Sequence, residues 1–269
     1  MAWNDLAACT GRLLPAAPVA LGDVAGLPEG AGVRLLGRLG RHDREARVLH
    51  IEDPDGGGAV PVDASAWPAA ASCRPGSRYL VLGDVLGAGA PARVKARIVR
   101  YMDGVPAEVY REAQALHGGL RRLPAPPPAV AASRFHREHH TVSPVRLLGP
   151  GAVESKAEVL GTVVDLVKKE AYAAFSLDDG TGLLVCKLYF GERGVPPASV
   201  HAPDELQLGA VLRARGRVGR LRVGEEEKVQ LLVTQLAAER HPAAEAGHWM
   251  RCYLALAEEM EAGGGADGR

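Results

Sequence analysis

Adjacent acids, Asp178 and Asp179, are the first residues whose types could do chemistry; they lie in Ala173-Ala-Phe-Ser-Leu-Asp-Asp-Gly-Thr-Gly-Leu-Leu-Val-Cys186. Paired carboxylates can hold a divalent cation or act as a general acid and base. A calcium loop, however, needs further oxygen ligands at alternating positions, and a glycoside-cleaving pair must flank its substrate. Neighbouring turn residues meet neither need. Gly180 and Gly182 permit positive φ, and aspartate accepts bonds from the amides that follow it, so the segment predicts a chain reversal between two strands. His136-Arg-Glu-His139-His140 is the next candidate. It lacks the H-E-x-x-H order and a nearby cysteine, and it reads as a connection rather than a metal site. Cys9, Cys73, Cys186 and Cys252 form no C-x-x-C pair and have no identifiable base beside them, which removes structural zinc, a disulfide framework and a thiol nucleophile. Cys186 and Cys252 are expected in core or helix-interface positions. No G-x-S-x-G, P-loop or dinucleotide fingerprint is present, so no catalytic residue, metal or cofactor is expected.

The elements that position these residues fall into two similar halves. The chain has 269 residues, enough for two domains, and 32 basic side chains cancel 32 acidic ones, so attraction to a polyanion must come from local patches. Aromatics make up only 4%, so any base-stacking surface is small. No basic leader or long apolar run stands out, and a soluble intracellular chain is the expectation. In the first half, Val33–Arg41, Arg47–Ile51, Ala59–Asp63, Ser77–Leu86 and Ala92–Tyr101 read as strands, followed by a helix over Ala107–Leu120. The second half repeats the order, with strands at Glu158–Lys168, Ala171–Leu177, Leu183–Phe190, Ala210–Leu221 and Lys228–Leu236 and a helix over Glu245–Met260. Residues 123–135, opening Leu-Pro-Ala-Pro-Pro-Pro, read as a linker between domains 1–122 and 136–262, and the glycine-rich 263–269 as a disordered tail. Five short strands without βαβ alternation predict a mainly β chain of two five-stranded OB-fold barrels, each followed by a C-terminal α-helix; an SH3-like barrel or a small sandwich shares the strand count. Gly37, Gly161 and Gly216 lie within strands, where they would relieve barrel curvature.

Three segments in order, Val159-Leu-Gly-Thr-Val-Val164, the Asp178-Asp-Gly-Thr-Gly182 stretch, and Leu208-Gly-Ala-Val-Leu-Arg-Ala-Arg-Gly-Arg-Val218, resemble the OB-fold of the STN subunit of the CST telomere-capping complex and, more distantly, the second subunit of replication protein A. Val33-Arg-Leu-Leu-Gly-Arg-Leu39, Gly76-Ser-Arg-Tyr-Leu-Val-Leu-Gly-Asp84 and Val94-Lys-Ala-Arg-Ile-Val99, followed by Met102-Asp-Gly-Val105 and a helix, look like the TEN subunit of the same complex. The resemblance implies TEN-like and STN-like domains fused in one chain. It implies a non-enzymatic nuclear component at chromosome ends that binds single-stranded, G-rich telomeric DNA and assists telomere replication. It also implies a large CTC-like partner and contact with DNA polymerase alpha-primase; the winged-helix modules of the STN relative have only Glu261–Arg269 to correspond to. Paired C-terminal helices hold the family's OB domains together, which points to Val109, Ala113 and Leu116 packing on Trp249, Cys252, Tyr253 and Leu256, within one chain or between copies. Each helix plugging its own barrel is the alternative.

OB barrels take single strands on the face of strands two and three. Alternation puts Lys187 and Tyr189 on the surface there, with Phe175 on either side. Arg213, Arg215 and Arg217, extended by Arg220 and Arg222, form a possible phosphate track on strand four, and Arg93, Lys95 and Arg97, with Arg100, form another in the first half. Ordinary solvent-facing charge, partly neutralised by Glu225-Glu-Glu227, is the alternative reading of these runs. A purely structural OB pair and a generic replication-protein-A-like binder are the competing functions.

Overall fold

The computed structural model describes residues 13–56, 58–87, 91–122, 141–190, 205–223 and 225–263. They form two compact units, one ending at Val105 and the other beginning at Pro106. The expected linker at 123–135, residues 264–269 of the expected tail and the histidine cluster at 136–140 lie outside the described residues, while Gly263, the tail's first residue, ends the last helix.

In the first unit, β1 (Ala17–Pro18), β2 (Gly32–Asp43), β3 (Val48–Glu52), β4 (Ala59–Asp63), β5 (Arg78–Leu86) and β6 (Arg93–Tyr101) run in the order β1-β2-β3-β4-β6-β5. Pairing of β2 with β5 closes strands β2–β6 into a five-stranded barrel whose one parallel contact is β4 with β6. Burial alternates along β3, β4 and most of β6, whereas Val33–Leu35 of β2 and Tyr79–Gly83 of β5 are buried without a break. Val33, Leu35, Leu39, Ile51, Val62, Val81 and Val94 fill the interior, and together they exclude water from one continuous core. The 3-10 turn Pro68–Ser72 lies between β4 and β5.

The second unit opens with helix α1 (Ala107–Arg122). It continues with β7 (Thr141–Val142), β8 (Lys156–Lys168), β9 (Tyr172–Asp178), β10 (Leu183–Tyr189), β11 (Val211–Val223), β12 (Glu226–Ala238) and helix α2 (Ala244–Gly263). The order β11-β12-β10-β9-β8-β7, closed by β11 with β8, repeats the first barrel strand for strand, with β10 and β12 as the parallel pair. The mainly β, two-barrel OB expectation is therefore met, helix by helix and strand by strand. Phe175, open to either face in the sequence, is fully buried in the core with Leu177, Cys186, Leu188 and Leu212. A Cβ on Gly37, Gly161 or Gly216 would approach the neighbouring strand to 2.5, 2.9 or 2.1 Å, so closing the barrels requires glycine at these three positions.

Helix α1 buries Tyr110, Ala113, His117 and Leu120, while Val109 is exposed and Leu116 only half-buried. The predicted stripe through Val109 and Leu116 is thus off by one residue, about 100° of helix rotation. The reason is α2: Trp249, fully buried, takes the Tyr110 ring edge-on at 5.9 Å and the His117 ring at 4.6 Å between centroids. Aromatic contacts outrank the aliphatic pair that periodicity favoured. On α2, Trp249 and Cys252 are buried as expected and Leu256 is half-buried; Tyr253 is exposed, and Glu245 and His248 occupy the buried face instead.

Candidate nucleic-acid interface

The Asp178–Gly182 turn is structural, yet it is far from a simple surface reversal. Both acids are buried. Asp178 Oδ1 accepts the Gly180 N–H at 2.7 Å, and Gly180 takes a φ of +83° that only glycine adopts without strain. Asp179 accepts the N–H groups of Thr181 (2.8 Å) and Gly182 (3.0 Å), the Thr181 hydroxyl, and, from a segment 34 residues upstream, the Val145 N–H at 2.8 Å. Its carbonyl oxygen receives the Trp249 indole N–H at 2.9 Å. Burial pushes the Asp179 carboxyl up to about 6, against the pull of its donors. One turn therefore ties the barrel's entry segment and its C-terminal helix together, and its carboxylate oxygens are engaged by backbone and threonine donors.

Beyond this turn β10 carries the expected strand-three residues. Tyr189 is half-exposed, as alternation requires, and pairs directly with Tyr172 on β9. Their rings lie 6.3 Å apart, tilted by 55°. Lys187 shares that face but is covered, a correction to its expected surface position: its Nζ sits 4.5 Å from both ring centroids. A cation between two aromatic faces is held by the ring quadrupoles and in turn fixes the rings. Lys168 and Lys169 are exposed where β8 turns into β9, just before Tyr172.

The arginine runs divide. Arg213 and Arg215 point outward from β11, but Glu158 of β8, buried to 3%, meets Arg213 at 2.5 Å and Arg215 at 2.6 Å, and Arg213 also reaches Glu239. Arg217 pairs with Glu154 at 3.0 Å. Burial pushes the Glu158 carboxyl up, and the bonds from Arg215 and Arg213 more than reverse it, leaving it below the usual carboxylate range. Arg220 pairs with Glu227 on the ribbon that β11 and β12 extend past the end of β8. By alternation Arg220 and Arg222 share the pleat face of Ala214 and Val218, opposite Arg213, Arg215 and Arg217, so the five do not line one track. In the first barrel Arg93 and Lys95 are exposed, but register sets Lys95 between Asp63 and Asp84. Arg97 departs from the expected outward position. Leu82 pairs with Ile98 and Gly83 with Ala96, which makes Arg97 the extra residue of a bulge and turns its guanidinium onto Asp84 at 3.0 Å and the Leu14 carbonyl.

Sequence reasoning missed the inner network of α2. Glu245 accepts the Thr162 hydroxyl at 2.9 Å, and Arg251 approaches Glu158 at 3.5 Å. His248 is almost fully covered; burial first, then the charges of Arg251 and Arg213, against Glu158 and Glu245, lower it to about 3. Because that value lies below the unfolded one, His248 favours the fold above pH 6.5 and withdraws that stability as pH falls toward 3. Urea melts from pH 6.5 down to 4.5 should show the native chain losing about 2–3 kcal/mol relative to His248→Gln. Parallel curves for the two proteins would rule this out.

Comparison with known proteins fits this geometry. Residues 15–117, spanning the first barrel and most of α1, match the family described as "Telomere-capping, CST complex subunit". The CST complex subunit STN1 of Arabidopsis thaliana is 32% identical over 120 residues, covering 39% of this chain and 72% of that protein. This chain belongs to the CST telomere-capping subunit family. Among solved structures, the S. pombe Stn1-ten1 complex superposes with a TM-score of 0.33 at 15% identity, covering 39% of this chain and 92% of that one. U. maydis Replication protein A bound to ssDNA gives 0.31 at 19% identity, covering 39% and 93%. For this CST-family chain, Tyr172, Lys187 and Tyr189 are the outward residues on the second barrel's strand-two and strand-three face that combine accessible aromatic surface with a cation, whereas the arginines are largely neutralised by glutamates.

Proposed function

We propose that this CST-family chain is a noncatalytic nuclear subunit that binds single-stranded DNA at chromosome ends, shields it, and presents its OB surfaces to a larger CTC-like subunit and to DNA polymerase alpha-primase during telomere replication. The observation that carries the DNA-binding reading is the Tyr172–Lys187–Tyr189 stack. Bases stack on exposed rings whatever their identity, and Lys168 and Lys169 at the adjoining turn supply positive potential for the backbone. The near-zero net charge suits a subunit whose affinity is completed by a partner.

Anisotropy with a labelled G-rich single strand tests this. Tyr189→Ala and Tyr172→Ala should each cost about 1–3 kcal/mol of binding, with melting behaviour near that of the native chain. Lys168→Glu with Lys169→Glu should flatten the salt dependence. Unchanged affinity in the double tyrosine variant would sink the assignment. The pairing of Arg213, Arg215 and Arg217 with Glu158, Glu239 and Glu154 favours a second reading, a scaffold with little DNA contact. Absence of salt-dependent binding by the native protein would select it.

A further inference from the structure

The first barrel has a feature that the second-barrel face does not use. At the end where β5 begins and β6 finishes, a cavity of about 410 Å³ opens, inside the size range of small-ligand sites. The Pro68–Ser72 turn contributes its last residue, Ser72, to the rim. Its floor is Tyr79, buried, with its hydroxyl accepting the Arg74 N–H at 2.8 Å. Tyr101 lies directly across the strand pair, edge-to-face with Tyr79 at 5.9 Å, and remains 55% exposed. Trp67 supplies a further aromatic wall, and Ser72 and Ser77 contribute hydroxyls. The single charged residue of the lining is Arg74, whose side chain is exposed.

Two further arginines and one acid surround it. Arg38 donates through Nε to the Gly76 carbonyl at 3.2 Å, beside Arg74, and stands directly opposite Arg78 across β2 and β5. Like charges facing each other across strands are unfavourable unless something else answers them. The nearby acid, Asp103, accepts the Arg78 backbone N–H at 2.7 Å and is bonded to the Tyr101 hydroxyl. The Arg74 guanidinium is the one charge of the lining itself, and Asp103, bonded to the Tyr101 and Ser77 hydroxyls, stands behind it, so the aromatic walls and Arg74 together match a flat ring that carries an anionic group.

We propose that this mouth binds one nucleotide of a single strand, with the base against Tyr101 and Trp67 and the phosphate on Arg74. The site lies in a different barrel from the Tyr172–Tyr189 face and rests on the single-strand reading only for the choice of ligand.

The test uses the full chain with thymidine monophosphate, thymidine, inorganic phosphate, an acidic aromatic peptide and an iodouracil-substituted oligothymidylate as probes. Photocrosslinking of the oligomer should mark Tyr101 or Trp67. Tyr101→Ala and Arg74→Glu should each weaken monophosphate binding at least about fivefold, with thymidine and inorganic phosphate binding more weakly than the joined molecule. Both altered side chains are exposed, and matching melts confirm that the variants fold. Cross-links confined to Tyr172 and Tyr189 overturn the proposal while sparing the second-barrel assignment. Cross-links here with none there do the reverse. Inorganic phosphate binding as tightly as the monophosphate, or Tyr101-dependent capture of the peptide without nucleotide binding, also overturns it.

Discussion

Asp179→Ala should destabilise the second unit by at least about 3 kcal/mol, since it leaves several buried donors, among them the N–H groups of Val145, Thr181 and Gly182, without their acceptor at roughly 1–3 kcal/mol each. Asp179 reaches both the following turn amides and the entry segment. Val145 also belongs to the core that the turn seals, so its release should loosen the residues around it as well. Chemical denaturation monitored by circular dichroism measures the loss. A change under 1 kcal/mol would mean that the network seen at Asp179 is incidental. The milder Asp179→Asn separates charge from shape. Because burial holds the native carboxyl up at about 6, above its unfolded value, Asp179 contributes stability that is fully present below pH 4 and lost as pH rises through 6. Relative to Asp179→Asn, the native protein should therefore weaken by up to about 3 kcal/mol between pH 4 and 7. This sign is opposite to that of His248.

Trp249→Ala carries the other large effect. Trp249 heads the fully buried side chains by volume, and its removal leaves a cavity, deprives the Asp179 carbonyl of its indole donor and takes away the surface on which Tyr110 and His117 rest. Truncating a buried tryptophan costs about 3–5 kcal/mol. The distinctive expectation is its distribution. Helix α1 lies more than a hundred residues upstream of Trp249, yet its amides should lose exchange protection together with those of α2, because short helices hold their shape mainly by packing. Hydrogen exchange followed by mass spectrometry reports both helices in one experiment. Full protection of α1 alongside an opened α2 would show that α1 is held by something other than Trp249. Tyr110→Phe, which keeps the ring, should leave both helices protected.

The alternating Val, Leu and Ile residues and the turn signals between them determined where all ten barrel strands lie, because a strand buried on one face must repeat every two residues, and that pattern is local. The Asp178–Gly182 turn was legible for the same reason: glycine freedom and aspartate's reach to its own following amides act within five residues. The ordered segments around Gly161, Asp178 and Arg213 carried the family. Contacts that cross the chain were settled only by the fold. Arg97 reads as solvent-facing until a one-residue bulge opposite Gly83 turns it inward. Arg213 and Arg215 read as a phosphate track until register sets Glu158 against them, 57 positions away from Arg215. Lys187 has the right parity for the surface and is covered all the same, because Tyr172 and Tyr189 meet over it only once β9 and β10 pair. Val109 and Leu116 lose the helix interface to Tyr110 and His117 because the partner is a tryptophan more than 130 positions downstream. Periodicity says that a helix has an apolar side. The shape and chemistry of whatever meets it decide which residues that side contains.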